Sequence, residues 1–206
     1  MKKNFRFLAM AVLAMAAAVF TGCSSDDDEG DNGGEGPNED APVSYVLGSG
    51  NTNMPSSGTI IAQYADAPVG SEIRRLVDDN ADTKYVTYHS SFNITWNGNS
   101  SKAVTAYSLT SAADTPEMDP KDWTLYGSND NTTWTELDAQ TNQLFAARKE
   151  EKSYEVDNAT SYRYYRLSVE ANNGGAATQI AEWKLVAMRS YTENINDLIA
   201  VSYTHL

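Results

Sequence analysis

The chain has 206 residues, with 28 acidic against 15 basic side chains, a net charge of −13, two histidines and one cysteine. That balance repels phosphate backbones and anionic lipid headgroups, which speaks against nucleic acid as a partner. One cysteine leaves no intramolecular disulfide.

In chain order, Lys2, Lys3 and Arg6 form a basic front before an apolar run from Phe7 to Phe20. The run is shorter than the roughly 20 residues a membrane-spanning helix needs and fits the core of a cleaved signal peptide, predicted over residues 1–22. Phe20, Thr21, Gly22 and Cys23 resemble a lipobox, in which the cysteine is acylated, so Cys23 is the expected lipidation site. Residues 24–40 hold eight carboxylates, no basic group and no large apolar side chain. Such a segment cannot bury enough surface to order itself, so residues 23–40 read as a lipidated cysteine and disordered acidic tether. Its start, SSDDDE, resembles the acidic surface-export signal of Bacteroidetes lipoproteins, implying an exported protein at the outer membrane or cell surface, held to the membrane by its lipid alone. Cleavage after residue 22 would leave 12 basic against 28 acidic residues, a net charge of −16.

Residues 41–58 read as a linker or N-terminal extension. From 59 to 188 the length suits one domain with its own core. Short runs rich in β-branched and aromatic residues fall at 59–64, 92–96, 104–110, 123–126, 153–156, 162–169 and 179–186. Strands at that spacing, without a long helical period or a repeat, predict an all-β antiparallel sandwich or barrel. In the run after Tyr164, Tyr165, Leu167 and Val169 share one face while Arg166, Ser168 and Glu170 share the other. Residues 127–131 and 97–100 carry turn chemistry and are predicted to close hairpins. Trp96, Trp123, Trp134 and Trp183 lie in or beside these runs and are expected to pack between sheets rather than to stack on sugars.

Three stretches carry a family resemblance. LVDDNADTKY at 76–85, DPKDWTLYGSND with TWTEL at 119–137, and IAEWKL at 180–185 together resemble the coagulation factor 5/8 type C, or discoidin, family. The resemblance implies a galactose-binding-like jelly-roll sandwich and, among bacterial members, non-catalytic carbohydrate binding. Read on its own, the first stretch places the oxygens of Asp78, Asn80, Asp82 and Thr83 in a tight turn, as a hard cation requires. The family pattern implies a structural calcium held by the side chains of Asp78, Thr83 and Glu182 and the carbonyls of Arg75, Asn80 and Ala181. Asp79 stands where the family usually has glycine, and aspartate tolerates a left-handed backbone better than most residues.

Sugar-binding relatives take their ligand on loops at one end of the sandwich, here residues 88–92, 112–122 and 171–179. Tyr88 is expected to offer an apolar face, His89 a hydrogen bond to a hydroxyl, and Asn172 and Asn173 paired amides. An arginine expected near Met118 is absent from the sequence there. Catalysis is not expected: the cysteine is committed to lipid, one of the two histidines lies in the tail, and Glu117, Asp119 and Asp122 lack an evident opposing group. The expected partner is a glycan; the alternative is a protein partner at the cell surface, or a role as the binding part of a longer glycan-degrading enzyme. Residues 189–206 fall outside the domain, and VSYTHL at their end resembles a translated sequencing adapter.

Overall fold

The computed structural model describes residues 39–187, so the signal peptide, Cys23, most of the tether and the tail lie outside the described residues. Eleven strands occur among them: β1 (Val43–Leu47), β2 (Gly58–Ala62), β3 (Tyr85–Thr87), β4 (Phe92–Lys102), β5 (Val104–Thr110), β6 (Pro120–Ser128), β7 (Thr135–Gln140), β8 (Glu151–Glu155), β9 (Tyr162–Asn172), β10 (Thr178–Ile180) and β11 (Glu182–Ala187). Helical structure in this range is confined to two 3-10 turns, Ile73–Val77 and Pro116–Met118. Every strand pair is antiparallel.

A six-stranded sheet runs β1-β2-β4-β9-β6-β7, and β11-β5-β8 and the short pair β10-β3 supply the other strands. The fold is the all-β jelly-roll sandwich of galactose-binding-like domains. Alternation along β9 works as the sequence implies. Tyr165, Leu167 and Val169 are at most 1% exposed, whereas Arg166 and Ser168 on the other face stay half-buried. Trp96, Trp123, Trp183, Tyr107 and Leu109 fill the same core, and burying side chains of this size contributes about 1.5–3 kcal/mol each.

Polar ties cross the core. Trp123 Nε1 on β6 donates to the Tyr107 hydroxyl on β5 at 2.9 Å, and that hydroxyl donates to Asp138 Oδ2 on β7 at 2.6 Å. Tyr165 on β9 accepts from the Val104 amide and donates to the Lys102 carbonyl, pinning the β4–β5 crossing.

Three expectations need correction, and residues 41–58 take a defined place. Residues 97–100 do not close a hairpin: β4 runs through them, and its continuation β5 joins the other sheet. The run 179–186 is two strands in different sheets, broken at Ala181. Residues 41–58 contribute β1, which pairs with β2 along the sheet edge, and bury Leu47, Asn53 and Met54. Trp134 is not a core residue. Asp130 Oδ1 accepts from the amides of Thr132 and Thr133 at 2.8 and 2.7 Å, and Asn131 takes a φ of 60°, so the chain turns before β7. Trp134 then lies half-buried, its ring 3.8 Å from the Arg166 guanidinium.

Candidate functional site

The turn at 78–83 follows the 3-10 turn Ile73–Val77. Asp79 takes a left-handed φ of 58°, which aspartate tolerates where glycine is usual, and its carboxylate meets Lys184 Nζ at 3.3 Å. Thr83 Oγ1 lies 2.9 and 2.8 Å from the two Asp78 oxygens and 3.0 Å from the Asn80 carbonyl. Glu182, 3% exposed at the start of β11, accepts from the Asn80 amide at 2.7 Å and from the side chain of Asn53. Burial, then the adjoining Asp78 carboxylate, push the Glu182 acid up to about 7.

Arg75 reaches Asp78 at 3.2 Å, and the buried Asn53 Oδ1 has no hydrogen-bond partner. Two facing carboxylates, a hydroxyl, a carbonyl and an unpaired amide oxygen are hard oxygen donors of the kind Ca²⁺ takes, so these residues fit the ion that the sequence implies. No group of three or more His, Cys, Asp and Glu side chains placed to hold a metal occurs among the described residues. Ala181 is fully buried, its amide donating to the Thr110 carbonyl at 2.9 Å. Asn53 was not singled out from sequence, because it lies 129 residues from the glutamate it contacts.

The three predicted loops meet at one end. Thr178 Oγ1 donates to the His89 carbonyl at 2.7 Å, while the amides of Gly175 and Asn173 donate to the carbonyls of Glu117 and Asp119 at 2.8 and 3.1 Å. Gly175 permits that approach, since a Cβ there would lie 2.8 Å from the Glu117 carbonyl oxygen and 2.9 Å from Met118 Cγ. Tyr88 is 62% exposed. The His89 imidazole stacks on Tyr64 with centroids 3.6 Å apart, and its Nε2 lies 3.6 Å from Asp66 Oδ2. Asp66, with a side chain only 4% exposed, accepts from Thr87 Oγ1 at 2.8 Å and the Tyr88 amide at 2.6 Å, so it holds the loop that presents both rings. Tyr64 and Asp66 were not picked out by sequence, where Tyr64 only ends the strand run 59–64.

The paired amides behave differently from expectation. Asn172 is 9% exposed and donates inward to the carbonyls of Gly175 and Ala177 and to Thr178 Oγ1, so it shapes the loop instead of facing solvent. Asn173 reaches the Asp119 carbonyl at 3.4 Å. The loop carboxylates are also engaged. Arg148 grips buried Asp119 with two bonds of 2.9 and 2.5 Å, Asp122 accepts from the Asn142 amide at 2.7 Å, and Glu117 takes the Thr115 hydroxyl. Thus an arginine does serve the loop that holds Met118, delivered from a segment 29 residues beyond Asp119.

The family model for the F5/8 type C domain matches residues 59–183. The chain belongs to that family. Among solved structures, the F5/8 type C domain resembles a Clostridium perfringens CBM32 module titled as in complex with GalNAc-beta-1,3-galactose (TM-score 0.53, 15% identity, covering 69% of this chain and all of that one). It also resembles the family 32 carbohydrate-binding module of Streptococcus pneumoniae EndoD (TM-score 0.53, 14% identity, 70% and 96% covered). A third neighbour is the C. perfringens NanJ module in complex with galactose (TM-score 0.52, 11% identity, 69% and 98% covered). A curated relative, a peptide-N(4)-(N-acetyl-beta-glucosaminyl)asparagine amidase of Arabidopsis thaliana, is 46% identical over 80 residues, and the match spans 36% of this chain and only 11% of that enzyme.

Proposed function

We propose that this F5/8 type C domain is a non-catalytic glycan-binding module that takes its sugar at the end loops around Tyr88 and His89. The observation that carries this reading is the exposed Tyr88 beside a His89 ring stacked on Tyr64 and faced by buried Asp66. Aromatic faces suit the apolar side of a pyranose, and an imidazole with a free nitrogen suits its hydroxyls. Modules of the same fold titled with galactose and GalNAc-beta-1,3-galactose support the ligand class. Loops carried on a rigid sandwich can vary without unfolding it, which is where specificity is expected to reside.

In this proposal calcium is structural. It ties Glu182 on β11 to the 78–83 turn through Asp78 and Thr83, with the carbonyls of Arg75, Asn80 and Ala181 as further ligands. The protein is exported and anchored at the cell surface by lipid on Cys23. Calorimetric titration with galactose and GalNAc-beta-1,3-galactose tests the glycan reading: His89→Ala is expected to lower affinity by about tenfold or more, about 1.4 kcal/mol, at an unchanged melting temperature. Unaltered affinity in both His89→Ala and Tyr88→Ala would remove the end loops from the account. The protein-partner reading has one observation of its own, the fully exposed Val69 on a segment whose Ser71 carbonyl accepts from the Val86 amide on β3. Retention of a surface protein by the wild type and not by Val69→Asp, with no glycan bound, would favour it.

A further inference from the structure

The outer face of the six-stranded sheet carries a second set of groups, formed by strands away from the end loops. Register places Thr95 on β4, Arg166 on β9 and Tyr126 on β6 in one row across the sheet, with Asn93, Ser168 and Thr124 in the next. Asn93, Tyr126, Trp134, Arg166 and Ser168 wall a shallow hollow of about 280 Å³.

Arg166 is the unusual member. The chain holds nearly two acids for each base, yet no carboxylate pairs with this guanidinium among the described residues. Its Nε donates to Thr95 Oγ1 at 3.3 Å and its plane lies against Trp134, which leaves the Nη donors without a protein acceptor among the described residues. Burial lowers the Arg166 pKa, but a guanidinium stays charged in proteins. A half-buried cation with its fork unsatisfied lacks an anionic partner of matching shape.

We infer that this hollow is a second binding site, for a sugar ring bearing a carboxylate, such as a uronic acid unit of a glycan. The carboxylate takes the two Nη groups in a bidentate pair, the geometry in which arginine recognises planar anions best. Tyr126 and the edge of Trp134 receive the apolar side of the ring, while the Ser168 hydroxyl and the Asn93 amide oxygen meet its hydroxyls. The volume lies just under the roughly 300–1,000 Å³ of pockets for drug-sized ligands, so it admits one ring rather than a chain. A net charge of −13 repels acidic glycans at long range, so capture depends on this one short-range pair.

Calorimetric titration of the whole protein with trigalacturonate and with its neutral methyl ester tests the assignment. The acid is expected to bind at least about tenfold more tightly than the ester. Arg166→Gln should abolish that preference and Tyr126→Ala should weaken both ligands, whereas His89→Ala should leave acid binding unchanged. The last variant separates this site from the end loops, so failure of either reading is visible alone. Equal affinity for acid and ester, no binding of the acid, or acid binding lost in His89→Ala and kept in Arg166→Gln would overturn it. So would a dimer in sedimentation that Arg166→Gln dissociates, because the face would then belong to a second copy. Should Arg166→Gln melt early, Tyr126→Ala with the acid–ester comparison decides.

Discussion

Replacing Glu182 separates its packing role from its proposed role as a calcium ligand. In the metal-free protein its buried carboxylate accepts from the Asn80 amide and from Asn53. Glu182→Ala orphans both donors at about 1–3 kcal/mol each, so a total of roughly 2–6 kcal/mol is expected. For a domain of this size each kcal/mol moves the melting temperature by about 2–4 °C, which gives a fall of roughly 4–24 °C. Glu182→Gln keeps an oxygen for the Asn80 amide and places its NH₂ where Asn53 Nδ2 donates; a flip of the Asn53 amide turns its unpartnered Oδ1 to accept from that NH₂, so the melt in chelator should stay within a few degrees of wild type. Calcium at a hundred times its dissociation constant stabilises the wild type by about 2.7 kcal/mol, or roughly 5–11 °C. The glutamine variant, lacking the charge, should lose most of that increment. Differential scanning calorimetry in chelator and in millimolar calcium reads both effects. A wild-type melt indifferent to calcium, or an identical calcium shift in Glu182→Gln, would refute the reasoning.

Other outcomes follow from single contacts. Gly175→Ala places a methyl against the Glu117 carbonyl and Met118, and should cost about 1–3 kcal/mol in denaturant unfolding while weakening glycan binding by prising the loops apart. Tyr107→Phe leaves the buried Trp123 N–H and Asp138 without their shared hydroxyl, and should lower stability by about 1–3 kcal/mol in the same assay. Gly127→Ala brings a Cβ to 2.4 Å from the Tyr162 ring and should destabilise comparably, unless that ring swings outward, which a structure of the variant would show. Radiolabelled palmitate should enter the wild type and not Cys23→Ser; equal labelling would end the lipid-anchor proposal.

The sequence makes strands legible where one face is apolar. β5 falls at its expected bounds, and β9 alternates as its residues imply, because a period of two survives any tertiary context that buries one side. β1 is nearly invisible: three of its five residues are exposed, so no pattern marks it until β2 offers an edge. β3 is only three residues long and β7 shows no fully buried position, which leaves too little contrast to read. The misread turn at 97–100 has turn composition, but Arg163 binds Asn97 Oδ1 and the Gly98 carbonyl, and β4 shifts register against β9 between Asn97 and Lys102 instead of turning back.

At the site, the hydrogen-bonded turn at 78–83 was readable from its own residues, whereas partners such as Asn53 and Arg148 come from distant segments. Asn172 shows the opposite failure. Its amide looks available in sequence, yet the return of the chain at Gly175, Ala177 and Thr178 consumes it. Trp134 was assigned to the core from its residue type and its place beside a strand run, and only the turn at Asp130 shows which face receives it.

The central claim, glycan recognition by the end loops, is tested most directly by following the backbone amides in ¹H–¹⁵N spectra as GalNAc-beta-1,3-galactose is added to the calcium-loaded protein. The account predicts saturable shifts confined to Tyr88, His89 and the neighbouring loop residues Glu117 to Met118 and Asn173 to Gly175, with the outer face around Arg166 silent to this neutral sugar. Shifts centred on Arg166 and Tyr126, or none at any residue up to saturating millimolar sugar, would contradict it.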